Sequence, residues 1–212
     1  MIKKLIALDT ETSGLQPDAE ILSLSGFKAV LDLEEGKLGI TEYFDYYFNQ
    51  DIIVPYEATL INHLTNEMLF EKSGGKYFED YEKELQNTLM LSDYYVIGHN
   101  VDFDLTRLKS SCIRNTASII PTFRGKIDTL PLTKKMIPKS MISNRGAKLT
   151  VAKREILQNK LGFTDDSIAK LVEPLGLDIA TVMHSSLYDS LVTLMIFYVY
   201  YKQEGWISDE YS

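Results

Sequence analysis

The sequence predicts an α/β protein: a mixed sheet, an antiparallel meander followed by parallel strands, flanked by helices. Three observations predict it. Apolar runs of strand length, bounded by turn residues, occupy much of the first 48 positions. Gly36 and Gly39 fall between the second and third of these runs, as an antiparallel hairpin connection requires. From residue 78 onward, short apolar strands alternate with segments of helical spacing, an order that lays helices against a sheet.

The elements follow in order. Leu5-Ile6-Ala7-Leu8 is a buried strand that ends at the turn signal Ser13-Gly14-Leu15-Gln16-Pro17. Residues 20–31 and 41–48 are strands rich in Ile, Leu, Tyr and Phe, and the hairpin aromatics Tyr43, Phe44, Tyr46, Tyr47 and Phe48 read as core. Residues 78–91 have helical spacing, with Tyr81, Leu85, Leu89 and Met90 on one side. A strand at 94–98 leads to a helix at 103–111, and a short strand at 126–129 leads to a helix that stops at Pro138. Two more helices are expected at 149–161 and 167–175, and a long terminal one at 185–202. No repeat or Pro/Gly/Ser linker divides the chain, so residues 1–212 read as one domain, with 138–161 a candidate basic insertion.

Composition excludes several classes. With 45% hydrophobic and 25% charged residues over 212 positions, the chain is not dominated by disorder. The longest apolar run, residues 191–201, contains Thr193 and is far shorter than the roughly 20 residues a bilayer needs, so no membrane association is expected. A single cysteine, Cys112, permits no internal disulfide, and a cytoplasmic, reducing location is expected. The net charge of −8 is unevenly spread. Residues 1–104 hold 7 Lys and Arg against 20 Asp and Glu, whereas residues 105–160 hold 13 against 2. A block so one-sided is a candidate footprint for a polyanion, against the plainer reading of a solvated helical face.

Three short segments carry the chemistry. Asp9 and Glu11 close the first strand, and residues i and i+2 of a strand project to the same face. Two carboxylates so placed repel unless a proton or a cation intervenes. Gly98-His99-Asn100-Val101-Asp102-Phe103-Asp104 joins a strand to a helix, with Asp104 in the first helical turn; capping by Asn100 and Asp102 is the plainer reading. His184-Ser185-Ser186-Leu187-Tyr188-Asp189 opens the terminal helix, where Asp189 carries a charge into an apolar stripe of Leu191, Leu194, Met195 and Tyr198. If Ser185 or Ser186 caps that helix, His184 lies in the preceding loop and can converge with Asp189.

Taken together, Asp-Thr-Glu-Thr-x-Gly-Leu, Gly-His-Asn-x-x-Phe-Asp and His-x4-Asp in this order resemble the DEDDh 3′–5′ exonucleases, the DnaQ-like superfamily of the proofreading epsilon subunit, ribonuclease T and oligoribonuclease. The segment from Ile61 to Leu69 looks like the family's post-hairpin stretch, though His63 stands where Gly is usual. The long basic stretch at 138–161 and Ser13 also depart from the family pattern.

The resemblance implies a ribonuclease H-like fold and two Mg²⁺ or Mn²⁺ ions held by Asp9, Glu11, Asp104 and Asp189, an oxygen-only set suited to such cations. It implies His184 as general base, and Thr12 and Leu15 lining the pocket for the terminal nucleotide. Asn100 orients its turn beside the substrate, and His99 is structural. The expected reaction is release of nucleoside monophosphates from the 3′ end of single-stranded DNA or RNA. The alternative is a proofreading or adaptor subunit that acts mainly by binding a polymerase or a nucleic-acid end, with a second copy of the chain as another partner. Trp206 is the one hint of a docking tail.

Overall fold

The computed structural model describes residues 1–16, 18–116, 118–177 and 185–206. Its centre is a five-stranded sheet in the order β3-β2-β1-β4-β5. β1 (Ile2–Thr12), β2 (Ile21–Asp32) and β3 (Lys37–Tyr47) form the antiparallel meander, while β4 (Met90–Gly98) and β5 (Thr122–Asp128) run parallel to β1. The expected mixed sheet is the one observed.

Alternation along β1 divides the core. Leu5 and Ala7 face the side covered by the last helix, with Phe27, Leu191 and Phe197, whereas Ile6 and Leu8 face Leu85, Val101 and Leu108. On the second side lie α3 (Glu82–Leu89) and α4 (Val101–Asn115), which carries the buried Cys112. On the first lies the terminal helix, and with it α5 (Thr129–Met136), the short α6 (Leu149–Ala152) and the wider, π-type turns of Lys153–Lys160 that continue it. Of the hairpin aromatics, Phe44, Tyr47 and Phe48 are buried as expected and Tyr43 is exposed.

Some expectations fail in detail. The helical segment 78–91 is a 3₁₀ turn (Phe78–Tyr81) followed by α3, and Met90 has left the helix to begin β4 with its side chain exposed. Helix 149–161 is not uniformly α-helical, and helix 167–175 is α7 (Asp165–Ala169) and a separate 3₁₀ turn (Glu173–Leu175) around Pro174, which cannot continue a helix. Two helices without strong periodicity, α1 (Tyr56–Asn62) and α2 (Asn66–Ser73), were not expected from periodicity. His63 ends α1 with φ +60°, a left-handed position where Gly avoids the Cβ penalty. That geometry gives the physical reason for the family's usual Gly there.

The terminal helix, α8 (Ser186–Glu204), is capped by Ser185, whose hydroxyl accepts from Tyr188 N at 3.3 Å. Ser186 is buried and its hydroxyl lies 3.1 Å from that of Ser23 and 2.8 Å from that of Ser25, so small hydroxylated side chains bring α8 close to β2. Trp206 is not a free docking tail: its ring packs edge-on against Tyr95 and Phe197, with Lys3 over its face. Among the described residues no helix is long and apolar enough to cross a membrane.

Candidate active site

The pairing of β1 with β4 stops at Ala7 and Ile97, so the last residues of β1 run on without a neighbouring strand on that side. Asp104 of α4 takes the vacated ladder position. Its Oδ1 accepts from Thr10 N at 3.0 Å and from Thr10 Oγ1 at 2.7 Å, and the residue is only 4% exposed. This is not the ordinary first-turn charge of a capped helix. Asn100 at the cap adopts φ +76° and its side chain makes no capping bond, and Asp102 pairs with Lys126 on the surface at 2.6 Å.

Asp9 and Glu11 share the β1 face that α8 covers, and Asp189 sits in the first turn of α8. The four carboxylates feel one another. Burial pushes Asp9 well above the usual carboxylate range, and the charges of Asp104, Glu11 and Asp189 push it further. Burial together with Asp189 and Asp104 lifts Glu11 to about 7. Asp104 also rises to about 7: burial dominates, against the two Thr10 hydrogen bonds that favour its charged form. Four mutually repelling oxygen donors, in motifs that hold no Lys or Arg, have the chemistry of a site for a hard divalent cation. Among the described residues, however, no three His, Cys, Asp or Glu side chains are grouped so that they could hold a metal ion. The expected general base, His184, lies outside the described residues.

Next to the carboxylates opens a cleft of about 550 Å³ lined by Thr10–Gln16, Ala58, Ile61, Asn62 and Phe103. It contains both predicted pocket residues, Thr12 and Leu15. Leu15 is 80% exposed, an apolar side chain held out over the opening. The loop that carries it is fixed from three directions. Thr12 Oγ1 donates to Gly14 O at 2.8 Å, Asn62 Nδ2 donates to Thr12 O at 3.3 Å, and the Arg107 guanidinium donates to Leu15 O. Arg107 is itself buried, lies 4.4 Å from the Phe103 ring centre, and keeps its Nε without a partner among the described residues.

Phe103, Ile61, Asn62 and Arg107 were not picked out from the sequence as pocket residues. Phe103 had a visible signal, its place beside Asp104 in the second motif; Arg107 had none beyond one helical turn of spacing from it.

Asn100 lies outside this cleft, and its backbone N donates to Asp128 Oδ1 at 2.9 Å. His99 is structural, as expected: Nε2 meets Ala147 O at 2.8 Å and Nδ1 meets Thr129 Oγ1 at 2.9 Å. The carbonyl only accepts, so the ring proton sits on Nε2. Burial lowers the His99 pKa and favours the neutral ring. Tyr188, beside Asp189, is also occupied, donating to Asp165 Oδ1 at 2.6 Å.

Carboxylates crowded at the carboxyl end of the central strand, on a sheet of this order, define the class as the ribonuclease H-like nucleases. A family model described as exonuclease, of the RNase T type, matches residues 6–197. The chain belongs to that family, the DnaQ-like 3′–5′ exonucleases.

Among its relatives, the DNA polymerase III epsilon subunit of Rickettsia prowazekii is 29% identical over 143 residues, which is 65% of this chain and 58% of that protein. The epsilon subunit of Buchnera aphidicola is 26% identical over 144 residues, 64% of this chain and again 58% of the relative. The chain thus spans less than two thirds of the length of these relatives. Exonuclease X, solved with 5′-overhanging duplex DNA, superposes with a TM-score of 0.54 at 20% identity, covering 98% of this chain and 96% of the other. A zinc-bound Escherichia coli exonuclease I complex with single-stranded DNA superposes with a TM-score of 0.64 at 15% identity, over 95% of this chain and 41% of that one. These likenesses carry the fold.

Proposed function

We propose that this protein is a metal-dependent 3′–5′ exonuclease that releases nucleoside monophosphates from single-stranded DNA or RNA. The observation that carries the reading is buried Asp104 seated on Thr10, electrostatically coupled to Asp9 and Glu11, at the edge of an open cleft with apolar walls. Names of relatives and neighbours, exonucleases bound to DNA among them, make DNA the first substrate to test.

In this reading Asp9, Glu11, Asp104 and Asp189 would hold two Mg²⁺ or Mn²⁺ ions, which would supply positive charge at the scissile phosphate and lower the pKa of the attacking water. Thr10 fixes the rotamer of Asp104 through two hydrogen bonds to its Oδ1. Leu15 and Phe103 grip the terminal base between apolar surfaces, and Arg107 sets the distance between them by holding the Leu15 carbonyl while lying against Phe103. His184 takes the proton of the attacking water at an imidazole nitrogen, a task suited to a group that titrates near neutrality.

The test is a time course on 5′-labelled DNA and RNA strands of one sequence, with Mg²⁺, Mn²⁺ or EDTA, beside Asp104→Asn. The expected result is a metal-dependent ladder that shortens from the 3′ end and is absent from the variant. Folded protein that cleaves neither strand would overturn the reading and leave the polymerase-bound role, favoured only by the epsilon relatives' name, as the one to pursue.

A further inference from the structure

A second cleft, of about 570 Å³, opens at the other end of the turn that carries Phe103. His99, Asn100, Met141, Arg145, Lys148 and Leu149 contribute to its lining. It is within the roughly 300–1,000 Å³ range of ligand clefts.

Its far wall, part of the basic segment, is built rather than draped. Ser143 and Gly146 exchange backbone hydrogen bonds of 3.0 and 3.2 Å, closing a tight turn that includes Arg145. Gly146 has φ +139°, and a Cβ there would fall 2.0 Å from Leu130 O, so the turn rests directly on the first turn of α5. The next residue is clamped from both sides: Ala147 N donates to Thr133 Oγ1 at 2.8 Å, and Ala147 O receives the His99 bond. His99 thereby ties the basic wall to the strand end that delivers Asn100 and Asp104.

The charges on this wall are free. Arg145 and Lys148 are exposed, and neither has an ion-pair partner among the described residues. Two other cations of the same block are engaged. Lys153 pairs with Asp165 at 3.2 Å and lies over the Tyr188 ring, and Arg154 pairs with Glu155 at 2.8 Å.

We infer that this cleft is the subsite for the strand upstream of the cleaved end. A phosphodiester group lies on Arg145 and Lys148, Asn100 offers its side-chain amide to the same nucleotide unit, and Met141 and Leu149 supply an apolar surface for its base or sugar. The assignment rests on the exonuclease reading, which places the terminal nucleotide at the other end of the same turn. A strand leaving the first cleft along that turn meets these two cations next.

The experiment measures binding of a 5′-fluorescein-labelled 20-nucleotide oligothymidylate by anisotropy across a salt series. The full chain carries Asp104→Asn, with Arg145→Gln/Lys148→Gln or Lys153→Gln/Arg154→Gln added. Loss of two phosphate contacts on a single strand lowers the slope of log K against log salt by about 1.4, with roughly tenfold weaker binding at low salt. The Lys153/Arg154 pair leaves both unchanged, and Arg145→Lys/Lys148→Arg restores both.

Wild-type affinity and slope in Arg145→Gln/Lys148→Gln overturn the subsite, as does an equal loss in the Lys153/Arg154 variant. Hydrolysis of a nucleoside 5′-monophosphate nitrophenyl ester by the wild-type protein separates the two readings. Activity on it with no effect of Arg145 and Lys148 on strand binding overturns the subsite alone. Inactivity on both ester and strand overturns the exonuclease reading and the subsite with it.

Discussion

The two clefts on the 99–103 turn are opposites. Beside the first, Asp9, Glu11, Asp104 and Asp189 crowd a partly dehydrated strand end, where burial and neighbouring carboxylates raise the pKa of Asp9, Glu11 and Asp104. The second holds Arg145 and Lys148 on an exposed, braced wall with no anion beside them among the described residues. The two carry charge of opposite sign. In the reading proposed above, divalent cations would be drawn to the first and phosphates to the second. The difference also sorts their energetics: buried like charges cost the fold stability, whereas exposed single charges cost it almost nothing.

The largest effect is therefore expected in the first cleft. Asp104→Ala or Asp9→Ala should lower the rate of hydrolysis by about 10³-fold or more, since each removes a group that positions charge at the reacting phosphate. Circular dichroism should show the fold retained. Thr10→Val, which removes the hydroxyl but keeps the backbone donor to Asp104, should cost about 10–100-fold in metal affinity or activity. Equal activity in that variant would mean that the backbone bond alone orients the carboxylate.

A pH effect of the same origin follows. Glu11 and Asp104 sit near 7 in the folded chain, against about 4 for unfolded carboxylates. Between those values the folded chain holds protons that the unfolded chain has released. The metal-free protein should then lose stability as pH rises through that window and be least stable above 7. Bound cation replaces those protons, so Mn²⁺ should raise Tm more at pH 8 than at pH 5.5. The same increment at both pH values would remove the carboxylate cluster from the metal site.

The base grip should respond more mildly. Leu15→Ala or Phe103→Ala removes one apolar face, a loss of about 1–3 kcal/mol per stacked base. KM for strands should rise by about tenfold or more, with a smaller change in kcat, and the rise should vanish on a strand whose 3′ residue lacks a base. A rise that persists there would assign Leu15 and Phe103 to the fold rather than to the base.

Much of the acidic cleft was legible because its logic is local. Asp9 and Glu11 share a face through the two-residue period of a strand, and Asp104 and Asp189 each stand one turn inside a helix that follows a recognisable stop. The mixed sheet was legible for the same reason, through short apolar runs and the glycines of the hairpin. Arg107 was not, because its partners, the Leu15 carbonyl and the Phe103 ring, meet it only through the tertiary fold. The basic wall was legible only as a charge count. Sequence could place 13 cations in residues 105–160, but not tell which of them were already paired.

That limit produces the smallest expected effect and the most discriminating one. Lys153 and Arg154 stand in the same basic run as Lys148, and charge alone would rank the three together. The structure separates them. The Lys153 ammonium is held between Asp165 and the Tyr188 ring, on the side that packs toward α8, while Arg154 is matched by its neighbour Glu155. A cation already paired releases little on meeting a phosphate, because it must first give up its partner. Lys153→Gln/Arg154→Gln should therefore leave the salt slope of strand binding within about 0.3 of the wild type, well under the ~0.7 expected for one lost single-strand phosphate contact. A slope reduced by 0.7 or more would show that the strand displaces Asp165 or Glu155, and that the footprint follows the charge block rather than the cleft.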